Sequence, residues 1–320
     1  MPVRALFTLL LVVFTVANVL AQSFPSRPIR ILVPSVAGSS PDIRARQIGA
    51  KLSEAFGQPV IVENRPGANG LIAAREAVKS PADGHTLFLA LINNAIADLL
   101  TTDPCCRLNQ ELVPVSRFSM TPLLFMVNPG VPARTLPEFI ELAKAKPDGF
   151  SVASHGPGSI SQLFAAMLKL ERGVQLLDVP YKGVNSEIPD LTGGQLNVAF
   201  PVPQVVLGAI RSGKLRVLAV MGPQRLDILP DVPTVAELGM PQIEAVAWNG
   251  IFVPAGTPAP VIEALHRELV RAYTAPEVKQ QLHSGGAYAA ADTPEEFAAF
   301  VKGEKEKWGR VIREAGIKAQ

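Results

Sequence analysis

The chain has 320 residues, 18% of them charged, and a formal charge of +2. That length supports one large or two moderate domains with cores of their own. The near-zero charge, the scattered basic residues and an aromatic content of only 6% exclude the basic, aromatic-bearing patches on which nucleic-acid binding relies, so any anionic ligand must be held by local geometry.

Residues 1–21 read as an export signal. Arg4 supplies the positive start, the run through Leu20 is apolar, and Val19-Leu20-Ala21 fits a small-residue cleavage site. Cleavage after Ala21 makes Gln22 the first mature residue and, by removing Arg4, lowers the charge from +2 to +1. A retained membrane anchor is the alternative, but the apolar run is short for a spanning helix. Cys105 and Cys106 are adjacent; neighbouring Cα atoms lie about 3.8 Å apart, below the usual disulfide range. A strained bond and two thiols both stay open. His85, His155, His266 and His283 are dispersed, so neither a metal site nor a cofactor is expected.

Along the mature chain, strand-length apolar runs alternate with segments of helical period. "IRILVP" is followed, after a small-residue loop, by "DIRARQIGAKLSEAFG", with Ile43, Ile48, Leu52 and Phe56 on one face and Gly57 as C-cap. "VIVEN", a helix through "GLIAAREAVKS", and the strand "TLFLALI" come next. After Asn94 the pattern loosens into an irregular excursion, "ADLLTTDPCCRLNQELVPVSRF". "LLFMVNP" then opens a second series: a helix over 135–146, strand "FSVAS", a helix over 160–172, strand "LLDVPY", a short helix before "TGGQ", and strands "LNVAF" and "LRVLAV". The last third returns with "GIFVP" and helices starting at Thr257-Pro258 and Thr293-Pro294. Thr293 with Glu296 and Thr234 with Glu237 have capping-box spacing. The alternation predicts an α/β protein of two lobes, with lobe 1 formed by 22–123 and 226–320 and lobe 2 by 124–225. The cleft between them is the natural ligand site.

Two loops carry the functional reading. In "PSVAGSSPD" (34–42), Ser40 is the candidate N-cap, Pro41 opens the helix and Asp42 follows. In the middle lobe, "HGPGS" leads to a Ser159–Gln162 capping box. A helix start leaves N–H groups unpaired and carries partial positive charge. Gly38, Gly156 and Gly158 let the main chain turn those donors outward, and two such ends facing each other would hold one carboxylate. Either loop could equally be an ordinary strand-to-helix connection. Catalysis has weak support: "GPGSIS" lacks nucleophile-elbow order, no phosphate loop occurs, and no acid is evident to orient His155 beside Ser159.

The segments "PSRPIRILVPSVAGSSPDIRAR", "GQPVIVENRPGANG", "DGHTLFLA", "VPYKG", "GGQLNVAF", "GKLRVLAV", "DVPTVAELG" and "VPAGTPAPVIEAL" run in order over the whole mature chain. Together they resemble the tripartite tricarboxylate transporter receptor family, the Bug or TctC-type extracytoplasmic solute-binding proteins. The resemblance implies a type II periplasmic binding protein fold and a periplasmic location. It also implies capture of a small carboxylate and its delivery to membrane permease subunits, without catalysis; a monomer with no nucleic-acid partner and no cofactor is the accompanying expectation. Carried onto this sequence, the site comprises Ser35, Ala37, Gly38 and Ser39 with Asp42 in the first loop, Asn93 after the third strand, and Ser154, His155, Gly158, Ser159 and Ser161 in the second loop. Tyr181 and Lys182 are expected at the mouth, with a tyrosine packed in the lobe core and a solvated lysine as the equal alternative.

Several positions depart from the family pattern. Ser35 replaces an aromatic residue and Ser39 a second glycine, so a positive φ at Ser39 would be strained. His155 adds a titratable group and Pro157 removes a donor. Leu91 and Ile92 replace small polar residues, and Pro201 stands where an acid is common. These changes predict a ligand with one well-held carboxylate and a less polar remainder, unless the side chains face away from the cleft. A sensor that passes the closed form to a signalling partner, and an exported hydrolase, are the alternative functions.

Overall fold

The computed structural model describes residues 24–101, 106–156, 158–181 and 184–318. The export signal and its cleavage site, Gln22, Cys105, Pro157 and Lys182 lie outside the described residues; Cys106 is buried.

Strand β1 (Ile29–Val33) pairs in parallel with β2 (Val60–Asn64) and β3 (Thr86–Leu91), crossing through helices α1 (Ser40–Phe56) and α2 (Leu71–Val78). The buried face of α1 is Ala45, Ile48, Gly49 and Leu52, together with Asp42 and Arg44, whereas Ile43 points outward at 44% exposure. Polar residues at two inward positions hide where this face begins. Gly57 closes the helix in the left-handed conformation, with φ 65°.

The expected excursion after Asn94 is regular instead. Helix α3 (Ile92–Leu100) begins directly at the end of β3, and β4 (Leu112–Pro122) follows as an 11-residue strand. It lies between β10 (Val246–Pro254) and β11 (Tyr288–Ala289). Ser116, Ser119 and Thr121 are buried along it, which erases the apolar/polar alternation by which a strand is recognised. Their hydroxyls have uses: Ser116 Oγ donates to the Asp292 carbonyl (3.0 Å), and Asn249 Nδ2 donates to Ser119 Oγ (2.9 Å).

The first sheet has the order β11-β4-β10-β3-β1-β2. The second holds β5 (Leu124–Val127), β6 (Ser151–Ser154), β7 (Leu177–Pro180), β8 (Val198–Ala199) and β9 (Arg216–Val220) in the order β7-β6-β8-β5-β9. Its helices are α4 (Leu136–Ala145), α5 (Ile160–Arg172), α6 (Val184–Gly193) and the short α7 (Leu207–Arg211). The first sheet therefore draws on 29–122 and 246–289, and the second on 124–220. Where the chain passes between them, Leu123, Met221 and Ala245 are joined by backbone hydrogen bonds of 2.8 to 3.1 Å.

After β10 come α8 (Ala259–Thr274), α9 (Pro276–Ser284) and α10 (Pro294–Glu314). Thr293 and Glu296 form the predicted capping box on α10 (2.9 and 3.2 Å). Thr234 and Glu237 make the same exchange (2.7 and 3.1 Å), but around a turn. Helix α10 ties the sheets together: Phe297 packs on Phe252 of the first, and Arg310 pairs with Glu171 of α5 at 2.6 Å. The principal core accordingly runs through both lobes, from Phe88 to Phe125, Phe164 and Trp308. Among the described residues, no helix is long and apolar enough to cross a membrane.

Candidate functional site

The carboxyl ends of β1, β3, β6 and β8 face one gap between the sheets, the place where open α/β sheets bind ligands. There the structure has a cavity of about 290 Å³. Three helix beginnings border it: Ser40 and Pro41 of α1, Ile92 and Asn93 of α3, Ile160 and Ser161 of α5. Each start contributes unpaired amide donors and partial positive charge. His155, Gln204, Trp248 and Asn249 add polar atoms, while Leu91, Leu123, Phe200, Pro201 and Val202 make much of the wall apolar.

The first loop folds onto its own helix. Ser39 is the N-cap and has φ −72°, so the strain expected there does not arise. Gly38, at φ 78°, donates its N–H to Asp42 Oδ2 at 2.8 Å. Asp42 also accepts from Asn64 Nδ2 (3.0 Å) and Arg46 Nε (3.1 Å), and Asn64 reaches on to the Ser35 carbonyl (3.0 Å). Burial acts to raise the Asp42 pKa, but hydrogen bonds from Arg46, the Gly38 amide and Asn64, with the Arg46 charge, hold it below the usual carboxylate range. Ser35, Ala37, Gly38, Ser39 and Asp42 are not on the cavity wall; Ser40, Pro41 and Arg44 are.

The second loop divides in the same way. Ser159 Oγ caps α5 by accepting from the Gln162 amide (3.4 Å), and Gln162 Oε1 accepts from the Gly158 amide (2.8 Å). Gly158 lies against the other lobe: at φ 74°, a Cβ there would stand 2.4 Å from Leu100 Cδ1 of α3. His155 and Ser161 do reach the cavity. His155 Nε2 lies 2.9 Å from Glu187 Oε2, a buried carboxylate, while Nδ1 lies 3.5 Å from Ser161 Oγ, itself 3.2 Å from Ser159 Oγ. Ser154 ends β6 and accepts the Tyr181 amide at 2.7 Å. The Tyr181 hydroxyl donates to Asp190 (2.8 Å), and burial followed by that carboxylate pushes its pKa up to about 12. Of the twelve residues expected from sequence, the cavity wall gathers Asn93, His155 and Ser161.

Four residues escaped sequence reading. Arg44 is 91% buried, since only 9% of its surface is exposed; its Nε donates to Ser40 Oγ (3.3 Å), its Nη1 is unpartnered, and it makes no ion pair among the described residues. Burial lowers its pKa to about 10, which leaves it protonated at neutral pH. The available signal was an arginine on the inward face of an amphipathic helix, one turn after a glycine loop. Trp248 Nε1 and Asn249 Oδ1 are likewise buried without partners. These consecutive residues both line the cavity, at the stretch of β10 just before its register shift against β4. Nothing local marks them, since they lie some 200 residues from the first loop. Glu187, the acid behind His155, is 32 positions away from it.

Residues 44–317 match the Tripartite tricarboxylate transporter family receptor. The chain is similar to Protein BugT of Bordetella pertussis, 35% identical over 94% of this chain and 93% of that one. Among solved structures it resembles an R. palustris protein with adipate (28% identity, TM-score 0.78, covering 92% and 99% of the two chains). It also resembles MatC from Rhodopseudomonas palustris with bound malate (30% identity, TM-score 0.77, covering 90% and 100%).

Proposed function

The chain belongs to the tripartite tricarboxylate transporter receptor family, and from that premise we propose that it captures a small organic carboxylate between its lobes and hands it to the permease subunits of a tripartite tricarboxylate-type transporter. It shares the two-sheet α/β architecture of periplasmic binding proteins. Export with cleavage after Ala21 and action as a monomer complete the proposal. The observation that carries it is the convergence of three helix beginnings and one buried, acid-free arginine on a single cavity. A helix start favours an anion by about 0.3–1 kcal/mol. A carboxylate touching both lobes stabilises the closed arrangement, because contacts to the two lobes are available together only there.

On this reading the anion sits nearer the helix starts and Arg44 than the two loop glycines. Gly38 and Gly158 already give their amides to Asp42 and Gln162, and their part is to shape the loops. Bridging waters can extend the reach of Ser40, Asn93 and Ser161 to the ligand.

A hydrolase reading draws on the Glu187–His155–Ser161 chain. Ser161 Oγ, however, shares its hydrogen bonding with Ser159 Oγ at 3.2 Å, closer than the 3.5 Å to His155, which supports a network that positions the second-lobe wall. The protein is expected not to turn over p-nitrophenyl acetate; turnover abolished by Ser161→Ala would replace the receptor reading. Native mass spectrometry of the purified protein tests capture directly, with a retained small carboxylate as the expected result. A transport role, as against sensing, requires uptake of that carboxylate to depend on both the receptor and a permease.

A further inference from the structure

Resting on the carboxylate-capture reading, we infer that Arg44 is the charge selector of the cavity and that the site takes a monocarboxylate with an apolar body in preference to di- and tricarboxylates. Among the described residues, Arg44 is the one Lys, Arg, Asp or Glu on the cavity wall. It is more than nine-tenths buried, its Nη1 is unpartnered and, among the described residues, no carboxylate pairs with it. A guanidinium held this way stays charged, and a carboxylate from outside supplies the missing fork partner. The same charge, unpaired inside the protein, costs stability until that anion arrives.

A second carboxylate would fare differently. Beyond Arg44, the wall offers neutral polar groups and the apolar surfaces of Leu91, Ile92, Leu123, Phe200 and Pro201. The titratable group on the second-lobe side is His155, and the buried Glu187 carboxylate stands directly behind it. An additional negative charge in this cavity would lose its water and gain no lysine or arginine partner of its own among the described residues. An aliphatic or aromatic body would instead bury its apolar area against the wall. The cavity, about 290 Å³, lies at the small end of ligand sites, which suits a body of six to eight carbons or so.

The test is calorimetric titration of the wild type, Arg44→Gln and Arg44→Met with hexanoate, benzoate, adipate, malate and citrate, alongside thermal unfolding without ligand. The wild type should bind hexanoate or benzoate at least about tenfold more tightly than any polyanion. Both variants should bind the monocarboxylates about thirtyfold or more weakly, while Arg44→Met unfolds at a higher temperature than the wild type without ligand. That opposite movement separates a binding charge from a structural one. Polyanions bound as tightly as the monocarboxylates, or variants that keep wild-type affinity, would overturn the assignment and leave carboxylate capture standing. If the folded wild type binds none of the five, while its native mass spectrum shows no retained carboxylate, capture fails and the assignment with it. A variant that binds weakly but unfolds earlier than the wild type counts against the assignment, because Arg44 would then be part of the scaffold.

Discussion

Replacing Asp42 with Asn asks whether the first loop is built around a buried carboxylate. Asp42 is 2% exposed and accepts from the Gly38 amide at 2.8 Å and Asn64 Nδ2 at 3.0 Å. Asn keeps the shape, but it offers one acceptor and turns an NH₂ group toward the second donor. Losing a charge-assisted bond removes about 1.5–3 kcal/mol, and the donor left unmatched adds about 1 kcal/mol. Arg46, with 54% of its side chain exposed, contributes little. The sum is about 2.5–4 kcal/mol, which for a chain of this length lowers Tm by roughly 4–8 °C. The effect should also depend on pH. Because the folded pKa of Asp42 lies below its ordinary value of 3.8, the unfolded chain binds the proton more readily. The stabilisation is therefore fully present above that value and disappears as pH falls through the lower folded one. Urea unfolding of both proteins from pH 7 to pH 3 measures the gap. A difference under about 1 kcal/mol at pH 7, or one that fails to narrow below pH 4, would refute the loop geometry.

Gly158→Ala places a Cβ where Leu100 Cδ1 stands at 2.4 Å and imposes φ 74° on an alanine; left-handed backbone strain of about 1–2 kcal/mol should accompany a shift toward open lobes, read as weaker ligand binding and a larger radius of gyration in X-ray scattering. Unaltered scattering and affinity would remove Gly158 from the lobe contact. Trp248 lines the cavity, whereas the other tryptophan, Trp308, lies on the buried face of α10 with Nε1 donating to Glu304 at 3.1 Å. Ligand addition should therefore change intrinsic fluorescence in the wild type and leave Trp248→Phe silent; a signal persisting in that variant would place the ligand elsewhere. Thr293→Ala removes the oxygen that accepts the Glu296 amide at 3.2 Å and should destabilise the protein by about 1 kcal/mol, measurable by urea unfolding and absent if α10 is held by packing alone.

The sequence determined what depends on neighbours along the chain. Apolar runs bounded by Gly and Pro located β1, β2, β3 and β6, helical period located α5 residue for residue, and Thr293 with Glu296 marked the start of α10. Short-range patterning reports the face an element buries and the donors it must cap, and both are local properties. The same signal failed for β4, where Thr121 is buried and the buried Ser116 and Ser119 find partners 130 or more positions away. It also missed the direct entry of β3 into α3. The family was legible because its motifs are distributed along the chain in order, so their joint occurrence carries more than any one of them.

Tertiary structure alone decided which members of those motifs meet. Gly38 and Asp42 are four residues apart, yet whether the amide faces a ligand or the carboxylate depends on how α1 seats against β2 and Asn64. Arg44 lines the cavity beside Phe200 and Gln204, some 160 positions away, and Trp248 joins it because β10 returns beside β3. Burial and convergence are sums over distant parts of the chain, and a charge acquires its chemical role from what surrounds it.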